Sequence, residues 1–357
     1  MDKRSEKLFF VNDYCETAHP EILKRITETA GEKNPGYGLD GWCASAAGKI
    51  RAACDCPRAE VYFFAGGTQT NQVVIDTVLR PFEGVVSADS GHVGVHEAGA
   101  IEYTGHKVLT LPGSRDASGA PEGKLGAAGL KAFLEGFYAD GNHEHMVFPG
   151  MVYISHPTEY GTLYTTKELE ELREVCAGFE IPLYLDGARL AYALACAEED
   201  PGLPTLPDIA RLTDVFYIGG TKCGAMFGEA AVFTKGNMPF RFATRVKQHG
   251  AMLAKGWLTG VQFDALFSDG LYCELGANAI RTAKRLRAAM KEKGYLFLVE
   301  SPTNQLIVVL ENRKMKKLAE KVEFSFWEKI DDTHTAVRFC TSWGTGDGEV
   351  DRLIDIL

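Results

Sequence analysis

The chain has 357 residues, 45% hydrophobic and 24% charged, an ordinary globular composition with length enough for one large core and a smaller unit beside it. A formal net charge of −10 argues against a phosphate-neutralising surface, so the expected partner is a small molecule and not nucleic acid. Met1 to Lys7 is charged and leads only into the short apolar run Leu8 to Val11, and no stretch of ~18 apolar residues follows that could span a bilayer; a soluble, cytoplasmic chain with no membrane partner is expected.

Short β-branched and aromatic runs alternate with amphipathic stretches, the pattern of βαβ units around a mainly parallel sheet. In chain order the strand candidates are Glu60–Phe64, Gly84–Ala88, Lys107–Leu111, Met151–Ser155, Leu183–Leu185 and Val215–Ile218. Before the first of them, Cys54-Asp55-Cys56 offers two thiols with no second cluster. The nine cysteines lack zinc or disulfide-framework spacing and are read as buried thiols.

The first strand runs into Ala65-Gly66-Gly67-Thr68-Gln69-Thr70-Asn71 and then a helical stretch. Glycines there let the backbone approach a phosphate, and a helix start aims N–H groups at it; a plain connection is the competing reading. The second strand is followed by Asp89-Ser90-Gly91-His92 and His96-Glu97-Ala98-Gly99. A histidine there could stack on an aromatic ring and exchange protons, or simply be satisfied in a loop. Gly113–Gly129 and Gly141–His145 read as surface loops, and His143-Glu144-His145 as a solvated turn, so no metal site is expected.

Thr165 with Glu168 forms a capping box, and Leu169, Leu172, Cys176 and Phe179 recur on one face, which predicts a crossover helix over Thr165–Phe179. The next strand ends in Asp186-Gly187-Ala188-Arg189. A carboxylate at that place requires a positive partner, either a structural arginine or a protonated heteroaromatic nitrogen. The last strand leads into Gly219-Gly220-Thr221-Lys222-Cys223-Gly224. A confined lysine among small residues is suited to forming an imine with an aldehyde, although an exposed strand-end lysine would look similar. Beyond about Ala251 the helices lengthen, with the basic, Ala-rich Ala277–Lys293, and Gln305–Leu310 and Ala336–Cys340 read as strands of a second α+β unit. Neither G-x-G-x-x-G nor G-x-x-x-x-G-K-[ST] follows a strand, so nucleotide-binding folds lack their fingerprints.

Taken together and in this order, these segments resemble the threonine aldolase branch of the β-eliminating lyases, within the fold-type-I pyridoxal-phosphate enzymes. The resemblance implies an aspartate aminotransferase-like fold: an N-terminal segment 1–15, a large α/β domain 16–250 with a mainly parallel seven-stranded sheet, and a small C-terminal α+β domain 251–357. It implies pyridoxal 5′-phosphate on Lys222, Asp186 against the pyridine nitrogen, Gly67 and Thr68 as phosphate cradle with Gln69 beside them, and His92 stacked on the ring. Arg189 would help hold the cofactor, and Arg189 and Arg338 would hold the substrate carboxylate. Asn12 stands where the family often has a serine that assists them, and Tyr37, in Tyr37-Gly38-Leu39-Asp40, matches a segment near a dimer interface. The implied reaction is cleavage of threonine or allo-threonine to glycine and an aldehyde, with His92 taking the β-hydroxyl proton; β-elimination, racemisation and a non-catalytic cofactor-binding role are the alternatives. The family's second histidine position falls on Thr158, and a shift of two residues would place His156 there instead. A homodimer or tetramer with the pocket between subunits is expected by the same resemblance.

Overall fold

The computed structural model describes residues 7–357. Seven strands, β1 (Glu60–Phe64), β2 (Glu83–Ala88), β3 (Val108–Leu111), β4 (Phe148–Ser155), β5 (Leu183–Gly187), β6 (Val215–Gly219) and β7 (Glu229–Phe233), form one sheet in the order β1-β7-β6-β5-β4-β2-β3. Only β7 runs antiparallel to its neighbours. This is the mainly parallel seven-stranded sheet that the resemblance implied. Its central strands β5 and β6 are buried along their whole length, as parallel strands covered on both faces must be.

Sequence periodicity missed β7. Its run Glu-Ala-Ala-Val-Phe has little β-branching, and it belongs to the sheet because both of its neighbours bury it completely. In β4, Pro149 and Gly150 masked three residues before Met151; a Cβ at Gly150 would stand 2.6 Å from the Glu83 side chain, so close passage of the neighbouring strand accounts for the glycine.

Helices α1 (Gly41–Ala53), α2 (Gly67–Val78), α3 (Thr166–Gly178), α4 (Leu190–Ala197), α5 (Trp257–Leu266) and α6 (Leu271–Glu292) cover the sheet or extend from it. The expected capping box is formed: the Thr165 hydroxyl accepts from Glu168 N–H, and the Glu168 carboxylate accepts from Thr165 N–H at 2.7 Å. Leu169, Leu172 and Cys176 are buried below it. Past Ala251, α5 still packs on α1, where a Cβ on Gly260 would meet the Cys43 backbone nitrogen at 2.6 Å. Helix α6 begins against α4, with Gly276 under the Ala191 carbonyl, and ends with Ala283, Leu286 and Met290 in the core of the smaller sheet.

That second sheet comprises β8 (Leu296–Phe297), β9 (Gln305–Glu311), β10 (Ser325–Lys329) and β11 (His334–Cys340) in the antiparallel order β10-β11-β9-β8. Leu8 and Phe9 pair with Val322 and Glu323, and Phe10 is buried in the same small core, so the N-terminal segment is tied to the C-terminal unit. The loop at 113–126 is irregular, but Ala127 already opens a helix reaching Ala139. His143–His145 forms one exposed 3₁₀ turn, and Cys54 is buried with its thiol pushed up to about 12 by burial. Among the described residues no helix is long and apolar enough to cross a membrane.

Replacing Thr165 with Ala removes the α3 cap and should cost about 1 kcal/mol. The check is a lower urea midpoint at unchanged denaturant dependence; an unchanged midpoint would mean that the cap carries no stability.

Candidate active site

The ends of β1, β2, β4, β5 and β6 open on the same side of the sheet, where α/β folds bind ligands. A cavity of about 310 Å³ lies there, lined by Gly66, Gly67, Thr68, His92, Asp186 and Lys222 among others. A second of about 430 Å³ adjoins it under β9–β11, sharing His92, Arg189 and Lys222 and adding Gln305, Trp327 and Arg338.

Asp186 is buried at the floor of the first cavity. Its Oδ2 accepts from Tyr153 Oη at 2.6 Å and Asn71 Nδ2 at 3.0 Å, and Oδ1 accepts from Ala188 N–H at 3.0 Å. Burial pushes this carboxyl up, but nearby His92 and the hydrogen bonds of Tyr153, Tyr217 and Asn71 outweigh that effect and hold it below the usual carboxylate value. It forms no salt bridge with Lys or Arg among the described residues, so a buried anion faces the cavity with room for a cationic ligand. Asn71 also donates to Glu97 Oε1 at 2.8 Å, and the same oxygen takes His92 Nδ1–H at 2.7 Å. One amide thus fixes both the carboxylate and the histidine that stands over the cavity.

Lys222 projects into the cavity with no hydrogen bond from its Nζ among the described residues. Burial first, and then the Arg189 charge, lower its pKa toward the neutral, nucleophilic amine. Arg189 is itself clamped by Asp13, Nε to Oδ2 at 2.6 Å and Nη2 to Oδ1 at 3.1 Å, and Asn304 donates to Asp13 at 2.9 Å. Burial would raise the Asp13 carboxyl, but Arg189 and Lys222 bring it down to about 2. Arg338 donates to Gln305 at 2.9 Å and lies 5.6 Å from the Trp327 ring centre, leaving most of its donors uncommitted.

Helix α2 starts at Gly67 without a side-chain cap, so its first N–H groups remain available, and a Cβ on Gly67 would press to 3.1 Å of the Tyr217 hydroxyl. Gly66, Gly67 and Thr68 line the cavity, whereas Gln69 turns its Oε1 back to accept from Ala65 N–H. Asn12 and Tyr37 line neither of these two cavities. Asn12 Oδ1 accepts from Tyr14 N–H, and Tyr37 sits on an exposed turn at φ 63° beneath Lys247. His156 is buried against Tyr164, its pKa lowered to about 3 by burial, and Thr158 spends its hydroxyl on Glu122 and Thr162.

Sequence reading overlooked Asn71, Tyr153, Glu159, Tyr217 and Glu229, all of which line or support the cavity. A signal for the tyrosines was present: Val-Tyr-Ile-Ser, Leu-Tyr-Leu-Asp and Phe-Tyr-Ile-Gly end three consecutive strands, and pairing sets Tyr153 opposite Tyr184 and Tyr217 opposite Asp186.

A neutralisable lysine, a buried anion without a cation and a glycine-lined helix start around one cavity fit pyridoxal 5′-phosphate, and fold and site define a fold-type-I enzyme of that cofactor. Residues 17–321 match the sequence profile described as Beta-eliminating lyase, and the chain belongs to that family. It is 27% identical over 354 residues to a low specificity L-threonine aldolase of Pseudomonas sp. (strain NCIMB 10558), covering 96% of this chain and 95% of that one. A solved Leishmania major threonine aldolase aligns at TM-score 0.91 and 42% identity over 98% of both chains. A double mutant of Thermus thermophilus aspartate aminotransferase, at 12% identity and TM-score 0.69 over 98% of this chain and 91% of its own, shares the fold.

Asp13→Asn should destabilise the protein by about 3–5 kcal/mol, because it leaves the Arg189 charge buried without its partner. Since the folded Asp13 pKa lies below the unfolded one, its contribution is fully present above pH 3.8 and is lost as pH falls through about 2. The gap in melting temperature between wild type and variant should therefore close on acidification, and a gap independent of pH would contradict this account.

Proposed function

We propose that this chain is a pyridoxal-phosphate-dependent aldolase that cleaves the Cα–Cβ bond of L-threonine or L-allo-threonine type β-hydroxy-α-amino acids to glycine and an aldehyde. The carrying observation is that a reactive amine and two arginines, Arg189 and Arg338, converge on one cavity beyond a buried, cation-free carboxylate. The named activity of relatives spanning nearly the whole chain supports the same reading.

When bound, the cofactor supplies an electron sink for the pair released at Cα. Asp186, kept ionised by three donors, would hold the proton on the pyridine nitrogen, and Gly67 with Thr68 would receive the phosphate at the α2 start. Lys222 would anchor the aldehyde and return the proton to Cα. His92, steered by Glu97, would cover the ring face. Arg189, immobilised by Asp13, and Arg338, backed by Gln305 and Trp327, would grip the carboxylate and so orient the Cα–Cβ bond for cleavage.

The same reading includes a homodimer or a tetramer of dimers. Leu39, Tyr103 and Phe240 are 81%, 88% and 87% exposed, which is apolar surface suited to a second copy, and Tyr37 would then serve the neighbouring site. A cytoplasmic setting agrees with nine cysteines that all stand as free thiols.

The purified protein should show a visible absorbance band that borohydride abolishes and that Lys222→Ala lacks, and the wild type should release glycine and acetaldehyde from threonine or allo-threonine. A band with 2-oxobutanoate and ammonia instead would move the reaction to elimination, and no band would refute the reading. Arg338→Met should lower kcat/KM by about 10–100-fold, the loss of one charge-assisted carboxylate contact.

A further inference from the structure

A third cavity of about 540 Å³ lies outside the other two, walled by Asp89, His96, Arg115, Tyr160 and Trp327. Among the described residues Glu159 alone lines all three. Its carboxyl is fixed on one side only: Oε1 accepts from His92 N–H at 2.9 Å and from Ser155 Oγ at 2.7 Å, while Oε2 has no hydrogen-bond partner among the described residues. Ser155 also stands 3.2 Å from the Tyr153 hydroxyl that donates to Asp186, so Glu159 belongs to the hydrogen-bonded shell of the cofactor carboxylate while its second oxygen remains available at the junction of the cavities.

Resting on the aldolase reading above, we propose that Glu159 is the catalytic residue that takes the β-hydroxyl proton of the substrate, and that the outer cavity it borders receives the β-substituent. The other groups of its segment are otherwise engaged: His156 is turned into the core and Thr158 is bonded to Glu122 and Thr162. His92 donates its Nδ1–H to Glu97, and in the reading above its ring covers the cofactor face. In the step, the O–H bond breaks and its proton passes to Oε2, the freed pair becomes the second bond of the aldehyde carbonyl, and the Cα–Cβ pair is left at Cα. Proton return to Cα from Lys222 completes glycine, and the proton on Oε2 passes to solvent, with no redox change. Burial raises the Glu159 carboxyl above its ordinary value, opposed by the Ser155 hydroxyl, by its own backbone N–H and by His92 and reinforced by Asp186, which makes it a stronger base than a solvated glutamate. The cations bordering the same space are Arg115, Arg189, Lys222 and Arg338; the further titratable neighbours are Asp89, His92, His96, Asp186, Glu229 and Glu328, with the phenols of Tyr14, Tyr160 and Tyr217.

Exchange of the α-hydrogen of glycine in D₂O separates this role from a structural one, because it uses the cofactor but no β-hydroxyl. Holoenzyme Glu159→Gln should keep the visible spectrum and glycine exchange while losing threonine cleavage by about 100-fold or more. Glu159→Asp, which retains a carboxylate, should recover part of that loss. The acid limb of wild-type kcat/KM should lie above the ordinary glutamate value, with activity rising as pH increases through it, and should vanish in Glu159→Gln. Cleavage within about threefold of wild type in the Gln variant, or equal loss of cleavage and exchange in both variants, would overturn the proposal. Wild type that shows the spectrum and exchanges glycine but cleaves no β-hydroxy-amino acid would instead bring down the aldolase reading beneath it.

Discussion

A buried carboxylate with no Lys or Arg in salt-bridge contact among the described residues is the constraint around which this molecule is built. Asp186 sits on a strand that is buried along its whole length, where an isolated anion would ordinarily take up a proton. Nearby His92 and the hydrogen bonds of Tyr153, Asn71 and the Ala188 N–H prevent that, and each hydrogen bond fixes another element. Tyr153 must lie in register on β4, Asn71 must stand on the first turns of α2, and α2 must therefore start close to the ends of β5 and β6. The helix start that would bind phosphate and the carboxylate that would bind the pyridine nitrogen are held together by the same amide. This is preorganisation in a physical sense: the polar groups are already oriented, at the cost of a charge that is fully compensated only when a cationic ligand is present.

The second joint is Asp13. Its chain segment pairs with the small unit through Leu8 and Phe9, and its carboxylate reaches Arg189 at the end of β5 and Asn304 just before β9. The N-terminal segment therefore serves as a strap across the two sheets. Arg189 and Arg338 come from opposite sides of this joint, so the distance between them, and with it the reach of any carboxylate grip, depends on how the strap seats the small sheet.

Much of this was legible in the sequence. Strand-ending polar segments at Gly67, His92, Asp186 and Lys222 follow from the placing of short apolar runs, and the α3 cap could be read from two residues. Strand β7 was not legible, because two alanines in a buried antiparallel strand carry no periodic signal. Nor was the retreat of Gln69 or Asn12 into local turns, since a side-chain amide that bonds its own backbone has the same sequence signature as one that faces a ligand. The ring of tyrosines around Asp186 lay between these cases: visible as a repeated tetrapeptide, but meaningful only once parallel pairing sets the register.

The segment from Ser155 to Glu159 shows why aligning types of residue is weaker than locating them. A histidine is present at His156, yet its ring accepts a hydrogen bond from Tyr164 N–H inside the core, where burial keeps it neutral well below physiological pH. Three residues on, Glu159 occupies the space that the cavities share. The two carboxyls of the site, the buried Asp186 and the half-buried Glu159, meet opposite conditions. Asp186 is surrounded by donors on both oxygens and is driven down, whereas Glu159 has donors on one oxygen only and is driven up. Environments that separate two like groups in this way give one of them a permanent charge and leave the other able to exchange a proton. The chain thus has, within one cavity system, one carboxyl held as a fixed anion and one left titratable where the cavities meet.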